Sequence, residues 1–196
     1  MNDFLDSLDL EPLQAGESLF VEGGARGDIA CIDYDVSEQR YISSFLEAGN
    51  ALAYQAVHGG IQDLLVFPAL FAYRHWLELR LKSLIVLGKQ WREEPAKAPT
   101  GHRLQNLWPK ARAAIEAAFP DDSTDFDAIS AVISELSQAD PESQTFRYAR
   151  NRQGAVNLDG PRNINMAHIA AVMQKVALVL DGAADGMDEM MRSRDG

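Results

Sequence analysis

YRHWLELRLKSLI, residues 73–85, is the stretch that decides the fold. Residues at the spacing of an α-helix form an apolar stripe along it and just beyond it; they are Trp76, Leu77, Leu81, Leu84 and Gly88. Arg74, Glu78 and Lys82 follow one another at intervals of four, a spacing at which opposite charges attract along a helix surface. The pattern predicts a long helix that packs through one face and carries charge on another.

The same periodicity extends over most of the chain, and alternating strand patterns are almost absent. Helices are predicted at residues 37–57, 61–88, 104–119, 124–138 and 163–191. The Gly59-Gly60 pair closes the first helix, Pro68 bends or starts the second, and Pro95 and Pro99 exclude a helix between the second and the third. The predicted fold is all-α, an up-and-down bundle of about five helices.

The remaining segments are predicted to be irregular. Residues 1–35 form an acidic, glycine-containing arm with one extended piece around residues 30–34, and residues 36–196 form a single helical domain. Residues 140–163 are mostly loop, with a helical turn at residues 142–148. A chain of 196 residues with 46% hydrophobic residues can bury one sizeable core.

Composition also indicates the compartment. Charged or polar residues interrupt every long apolar stretch, so the sequence predicts no membrane span of about 18 residues. The N-terminal sequence MNDFLDSLDLEP has no basic region of the kind that begins a secretory signal. Cys31 is the single cysteine, which excludes internal disulfides and suits a reducing environment. We expect a cytoplasmic protein.

Net charge is −11, but it is unevenly distributed. Residues 1–73 and 113–196 are acidic, whereas residues 74–112 carry an excess of basic side chains. The total excludes nucleic-acid binding by bulk electrostatics, because phosphate contacts need local positive charge. The run FRYARNRQGAVNLDGPRN supplies such charge, with Phe146 and Tyr148 as interleaved stacking groups; its arginines are Arg147, Arg150, Arg152 and Arg162. It is either a solvated loop or a site for RNA and phosphate.

Familiar catalytic motifs are missing from the sequence. His58, His75, His102 and His168 lie far apart and show no metal-ligand spacing, so we expect no metal. Neither a phosphate-binding GxxxxGK[ST] loop nor a GxGxxG motif occurs, and we expect no cofactor.

RNINMAH, residues 162–168, is the strongest candidate for chemistry. Histidine can transfer a proton near neutral pH, and arginine can neutralise charge that develops on a phosphate. Asn163 or Asn165 would cap the following helix. Arg162 can meet His168 only from the loop before that helix, since six helical positions turn two side chains about 240° apart.

These segments resemble the HEPN superfamily of compact helical domains in prokaryotic toxins, defence systems and RNA-processing enzymes. ELRLKSLI followed by a short loop and GHRLQNLW is similar to the family's second helix and the start of its third, with Glu78, Lys82 and His102 at the matching positions. RNINMAH is similar to the family's arginine–histidine signature, here with five intervening residues. The resemblance covers roughly residues 37–190.

The resemblance implies a metal-independent endoribonuclease that acts as a homodimer, as a toxin or a phage-defence effector. It implies that Arg162 stabilises phosphate, that His168 assists proton transfer and that Asn163 orients both, while Glu78, Lys82 and His102 support the site. RNA and an antitoxin or defence-system protein are the implied partners. The alternative is a non-catalytic binding module of the same fold for a protein, a nucleotide or RNA. On that alternative, His168 is a helix-surface residue and His102 caps the third helix.

Overall fold

A computed structural model describes residues 11–12, 14–20, 23–32, 37–151, 153–157 and 163–195. The chain divides into two compact units, Met1–Val36 and Ser37–Gly196. The described residues of the first unit form turns, bends and irregular backbone. The predicted extended piece at residues 30–34 is irregular at residues 30–32, and residues 33 and 34 lie outside the described part.

The second unit is an all-α bundle, as predicted. The described residues form five helices in this order: α1 (Glu38–Gly59), α2 (Gln62–Trp91), α3 (Leu104–Ala118), α4 (Phe126–Ala139) and α5 (Met166–Asp195). The central helix, α2, packs against α1, α3 and α5. The predicted turn at residues 142–148 is a single turn, in which the Tyr148 amide donates to the Gln144 carbonyl over 2.9 Å. An antiparallel bridge between Arg150 and Val156 follows it, and the sequence pattern did not predict this bridge.

Local signals fix the helix ends. The Ser37 side chain accepts a hydrogen bond from the Arg40 amide and caps α1. Gly60 ends α1 in the left-handed conformation, with φ at 66°, which glycine adopts without steric cost. The Asn165 side chain accepts from the His168 amide over 3.0 Å at the start of α5. Asn165, one of two candidates, is therefore the residue that caps α5.

The core is built around the stripe predicted on α2. The side chains of Trp76, Leu77, Leu81 and Leu84 are completely buried, and burying a leucine fully stabilises a fold by roughly 1.5–3 kcal/mol. They pack with apolar residues of all the other helices. Helices α2 and α3 approach closely at Gly88, where an added Cβ would lie 2.4 Å from the Cβ of Ala114.

The charged face of α2 carries the predicted salt bridges, but most of this face is buried. Arg74 and Glu78 are almost fully buried, because the segment before α3 and the end of α4 contribute His102 and Asp140 to this face. A second buried charge, Arg80, lies elsewhere on α2 and pairs with Asp181 of α5 over 2.6 Å. The four-residue spacing correctly predicted that Arg74, Glu78 and Lys82 form ion pairs. The charge pattern alone did not show that neighbouring segments cover these side chains.

Helix α5 bears on the expectation of no membrane span. Between Met166 and Arg194 it is long and apolar enough, by length and composition, to cross a membrane, and 33% of its most apolar window is buried. The buried side chains, which include Met173, Val176 and Leu180, belong to the bundle core. A core helix passes the same test, so the finding is weak evidence for a span.

Candidate functional site

A network of charged groups surrounds Glu78 on α2. One oxygen of its carboxylate accepts from Lys82 Nζ over 2.8 Å and lies 3.2 Å from His102 Nδ1. The other oxygen accepts from Arg74 over 3.3 Å. We call Arg74, Glu78, Lys82, His102 and Asp140 the Glu78 cluster. It brings together the three supporting residues that the resemblance implied.

Arg74 connects this cluster to two other segments. Its guanidinium donates to the main-chain carbonyl of His102 over 2.9 Å and to that of Asp140 over 3.1 Å. The Asp140 carboxylate lies 3.3 Å from Arg74 and accepts from the amides of Gln144 and Thr145. Buried charges are stable when paired and hydrogen-bonded in this way. The cluster therefore fixes the positions of the segment before α3 and the loop after α4.

The solvent-facing member of the cluster is His102. Its side chain is 68% exposed, whereas that of Glu78 is 5% exposed. Burial by itself would raise the pKa of Glu78, but hydrogen bonds from Lys82 and His102 outweigh it and lower that pKa. Glu78 is thus an ionised acceptor that orients an accessible imidazole. The expected capping of α3 by His102 is wrong: its ring contacts Glu78, and α3 begins after Arg103 without a side-chain cap.

Four aromatic rings and an arginine lie beside this cluster, and we call them the aromatic stack: Phe45, Phe71, His75, Tyr148 and Arg147. His75 lies edge-on to Phe45, with ring centroids 4.3 Å apart, and stacks on Phe71 at 5.7 Å. The Arg147 guanidinium lies over the rings of both Phe71 and Tyr148, at 5.7 Å and 5.4 Å. Burial lowers the pKa of His75, and Lys82, Arg74 and Arg147 add to that effect against the opposing influence of Glu78. His75 is therefore a neutral ring near pH 7.

A groove of about 570 Å³ opens between α2, α4 and α5. Its walls are largely apolar and include Leu70, Leu136, Phe146 and Val172. The polar side chains that line it are Tyr73, Glu135, Gln138, Asn163 and His168. The groove therefore offers a small apolar space with a few hydrogen-bonding groups, which is the usual composition of a ligand site.

Hydrogen bonds at Tyr73 hold one wall of the groove in place. Its hydroxyl donates to the Asn50 side chain over 3.0 Å, and Gln174 of α5 donates to the same oxygen over 2.7 Å. Burial, with the nearby charge of Glu47, raises the pKa of Tyr73 to about 12. The hydroxyl keeps its proton at any physiological pH and remains a donor.

The structure separates the residues predicted from RNINMAH and from the arginine run. Asn163 and His168 line the groove, and both are exposed. Arg162 and Arg152 lie outside the described residues. Arg150 donates to the Gly154 carbonyl within its own loop over 2.8 Å.

Phe146 and Tyr148, the two proposed stacking groups, face different surroundings. Phe146 is buried in the groove wall, so it is a poor stacking platform, whereas Tyr148 is 55% exposed. Arg147 and Tyr148 contact Phe71 or each other at the aromatic stack, and neither lines the groove.

Sequence reasoning missed three members of this region. The sequence pattern places Arg74 on the charged face of a helix and Asp140 in a loop, and it gives His75 no role; it does not indicate that the three lie close together. A charge every fourth residue in a helix whose neighbouring positions are strongly apolar is a signal that could have indicated burial. The partnership of Arg74 with Asp140, 66 residues apart, has no local signal.

The described part of the chain contains no group of three or more histidine, cysteine or acidic residues placed to hold a metal ion. No protein-family model matches the chain, and no curated protein or solved structure is detectably similar to it.

Proposed function

We propose that the chain is a HEPN-like helical binding module that binds single-stranded RNA by taking one unpaired base into the groove. The observation that supports this most directly is the lining of the groove, in which apolar walls surround His168 and Asn163. Proteins that read RNA sequence contact bases outside a duplex, through apolar surfaces and hydrogen bonds to the base edges. The imidazole and the amide would provide those hydrogen bonds.

The volume of the groove and the net charge of the protein are consistent with the binding of a single base. A groove of about 570 Å³ falls within the range of roughly 300–1,000 Å³ typical of small-ligand sites. A net charge of −11 opposes general attraction to phosphates. We therefore expect affinity to come mainly from the base, so that binding depends weakly on salt compared with an ordinary basic RNA-binding protein.

Filling the groove tests this proposal. In Ile169→Trp, a larger side chain from the groove wall would occupy the base site, and we expect RNA binding to weaken by about ten-fold or more, the effect of losing roughly 1.4 kcal/mol. Fluorescence anisotropy with a labelled, unstructured RNA of about eight nucleotides measures it, within the usual length of single-strand sites. Leu178→Trp is the matched control, because Leu178 lies on the same helix but is exposed and outside the groove. Equal weakening in both variants, or no binding by the wild type, would contradict the proposal.

The second candidate is a HEPN-type, metal-independent endoribonuclease, in a toxin–antitoxin or phage-defence setting, which acts as a homodimer. The observation in its favour is that His168 is exposed in the first turn of α5 and lines the groove together with Asn163. Arg162 would neutralise charge on the phosphate, His168 would move the proton and Asn163 would orient them.

Expression of the wild type beside Arg162→Ala and His168→Ala tests this candidate, followed by incubation of the purified proteins with RNA in the presence of a chelator. We expect cleavage by the wild type and none by either variant. His58→Ala is the control, because His58 is exposed at the end of α1 and bonds the Tyr54 carbonyl there. RNA that stays intact with the wild type would exclude the nuclease and leave the binding proposal standing.

A further inference from the structure

Four residues at helical spacing form a second candidate site on α2, distinct in its residues from the groove. They are Phe71, His75, Glu78 and Lys82, and we call them the α2 stripe. Arg147 contacts the stripe at Phe71, and His102 contacts it at Glu78. None of these six residues lines the groove. The stripe therefore joins the Glu78 cluster to the aromatic stack.

The His102 end of the stripe offers donors to an anion. Glu78 holds Nδ1 of His102, and within the described part of the chain Nε2 of this exposed ring has no hydrogen-bonding partner. Lys82 Nζ carries three N–H groups and gives one bond to Glu78. Nε2 of His102 and the remaining N–H groups of Lys82 are therefore the polar groups that this end offers to a phosphate group.

The Arg147 end offers a flat surface. Arg147 Nε donates to the Ser143 carbonyl over 2.6 Å, which holds the guanidinium plane over Phe71 and Tyr148. Tyr148 is 55% exposed. An exposed aromatic ring beside a fixed guanidinium is the arrangement on which unpaired bases stack.

The separation of the two ends limits the size of the ligand. Phe71 and Glu78 are seven residues apart on α2, which corresponds to about 10 Å along the helix axis. A single phosphate cannot contact both ends. A ligand that carries a base and, one or two nucleotides away, a phosphate can do so.

We propose that the α2 stripe binds a short phosphorylated oligonucleotide, with the terminal phosphate between His102 and Lys82 and a base stacked on Tyr148. This site shares with the proposed function only the chemical class of the ligand, since it uses none of the groove residues. The ligand can be a free short oligonucleotide or the 5′-phosphorylated end of a longer RNA, because both present the same chemistry.

Charged groups of both signs surround His102. Glu78, Lys82 and Arg74 face it from α2, Arg103 pairs with Glu142 beside it, and Asp140 pairs with Arg74 behind it. These groups comprise three cations and three anions, so their charges nearly balance.

The test compares two probes: an adenosine dinucleotide with a 5′-phosphate and the same dinucleotide without it. Isothermal titration calorimetry measures the affinity of the protein for each probe. We expect the phosphate to improve affinity by about ten-fold, as a charge-assisted hydrogen bond does.

Substitutions test whether the α2 stripe and its contacts produce this gain in affinity from the phosphate. His102→Ala should remove the difference between the two probes, Lys82→Met should reduce it, and Tyr148→Ala should weaken both probes equally. His58→Ala should match the wild type. A His102→Ala protein that keeps the wild-type preference for the phosphate would overturn the proposal, whatever the result at the groove. A 5′-phosphorylated RNA of about eight nucleotides that binds like the dinucleotide would identify RNA ends as ligands, and a preference for the dinucleotide would identify free short oligonucleotides.

Discussion

Glu78 keeps its negative charge inside the protein because three cationic or polar donors surround it. Arg74, Lys82 and His102 each contact its carboxylate within 3.3 Å. Burial raises the pKa of such a group, yet the hydrogen bonds lower it more, and the pKa of Glu78 lies below its ordinary value. A folded-state pKa below the unfolded-state value means that ionised Glu78 stabilises the fold at neutral pH.

The lowered pKa of Glu78 predicts how the stability of the protein changes in acid. The stabilisation is present above the unfolded-state pKa and is lost as the pH falls through the lower folded-state pKa. We expect Glu78→Gln to be less stable than the wild type by about 1–3 kcal/mol at pH 7, since it weakens buried hydrogen bonds to charged groups. The difference should shrink below about pH 4, the ordinary range of a glutamate pKa.

Urea unfolding at several pH values measures this difference. Glu189→Gln is the matched control, because Glu189 forms an exposed ion pair with Arg192. The control should show almost the same stability and pH profile as the wild type. A Glu78→Gln protein that unfolds like the wild type at every pH would show that the buried carboxylate does not stabilise the fold.

At the scale of the elements, the contact between α2 and α3 depends on a residue without a side chain. A Cβ on Gly88 would lie 2.4 Å from Ala114 Cβ and 3.3 Å from Ala114 Cα. Gly182 of α5 is the opposite case, because an added Cβ there meets nothing within 4 Å. The close packing of α2 against α3 therefore requires a glycine at position 88, whereas no contact requires one at position 182.

The two alanine substitutions should have opposite effects. Gly88→Ala should destabilise the protein by about 1–3 kcal/mol, because α2 and α3 must move apart, although alanine is the better helix former by about 1 kcal/mol. Gly182→Ala should stabilise it by roughly 0.5–1 kcal/mol through backbone entropy alone. Thermal unfolding followed by circular dichroism measures both. An increase in melting temperature for Gly88→Ala would show that the helices do not cross this closely.

At the scale of the whole molecule, two observations bear on whether α5 stays in the bundle or crosses a membrane. By composition α5 could span a bilayer, but Asp181 pairs with the buried Arg80 and the buried face of α5 belongs to the core. Moving α5 into a bilayer would separate Asp181 from Arg80 and place its carboxylate near the middle of the span, where a charged group is costly.

We therefore expect the purified chain not to float with vesicles of phosphatidylcholine and phosphatidylglycerol in a density gradient. Lys175→Leu makes α5 more apolar at an exposed position and should behave in the same way if the bundle holds the helix. Flotation of the wild-type chain with the vesicles would show that α5 leaves the bundle.

The sequence by itself determined the helices and the apolar stripe of α2. These are local properties: periodicity, proline positions, and caps such as Ser37 and Gly60 act within a few residues, so the helix positions followed the pattern to within a few residues at each end. The Arg74–Glu78–Lys82 spacing was equally local, and the predicted pairings were confirmed.

Only the tertiary structure decided which charges are buried and which candidate residues meet. Arg74 contacts Asp140 from 66 residues away, and His102 reaches Glu78 across 24, because helix packing, not spacing along the chain, brings them together. The same packing put His168 in an apolar groove and Arg147 beside Phe71. Burial is a property of what covers a face, and the covering segments are distant in sequence, so a local pattern cannot encode it.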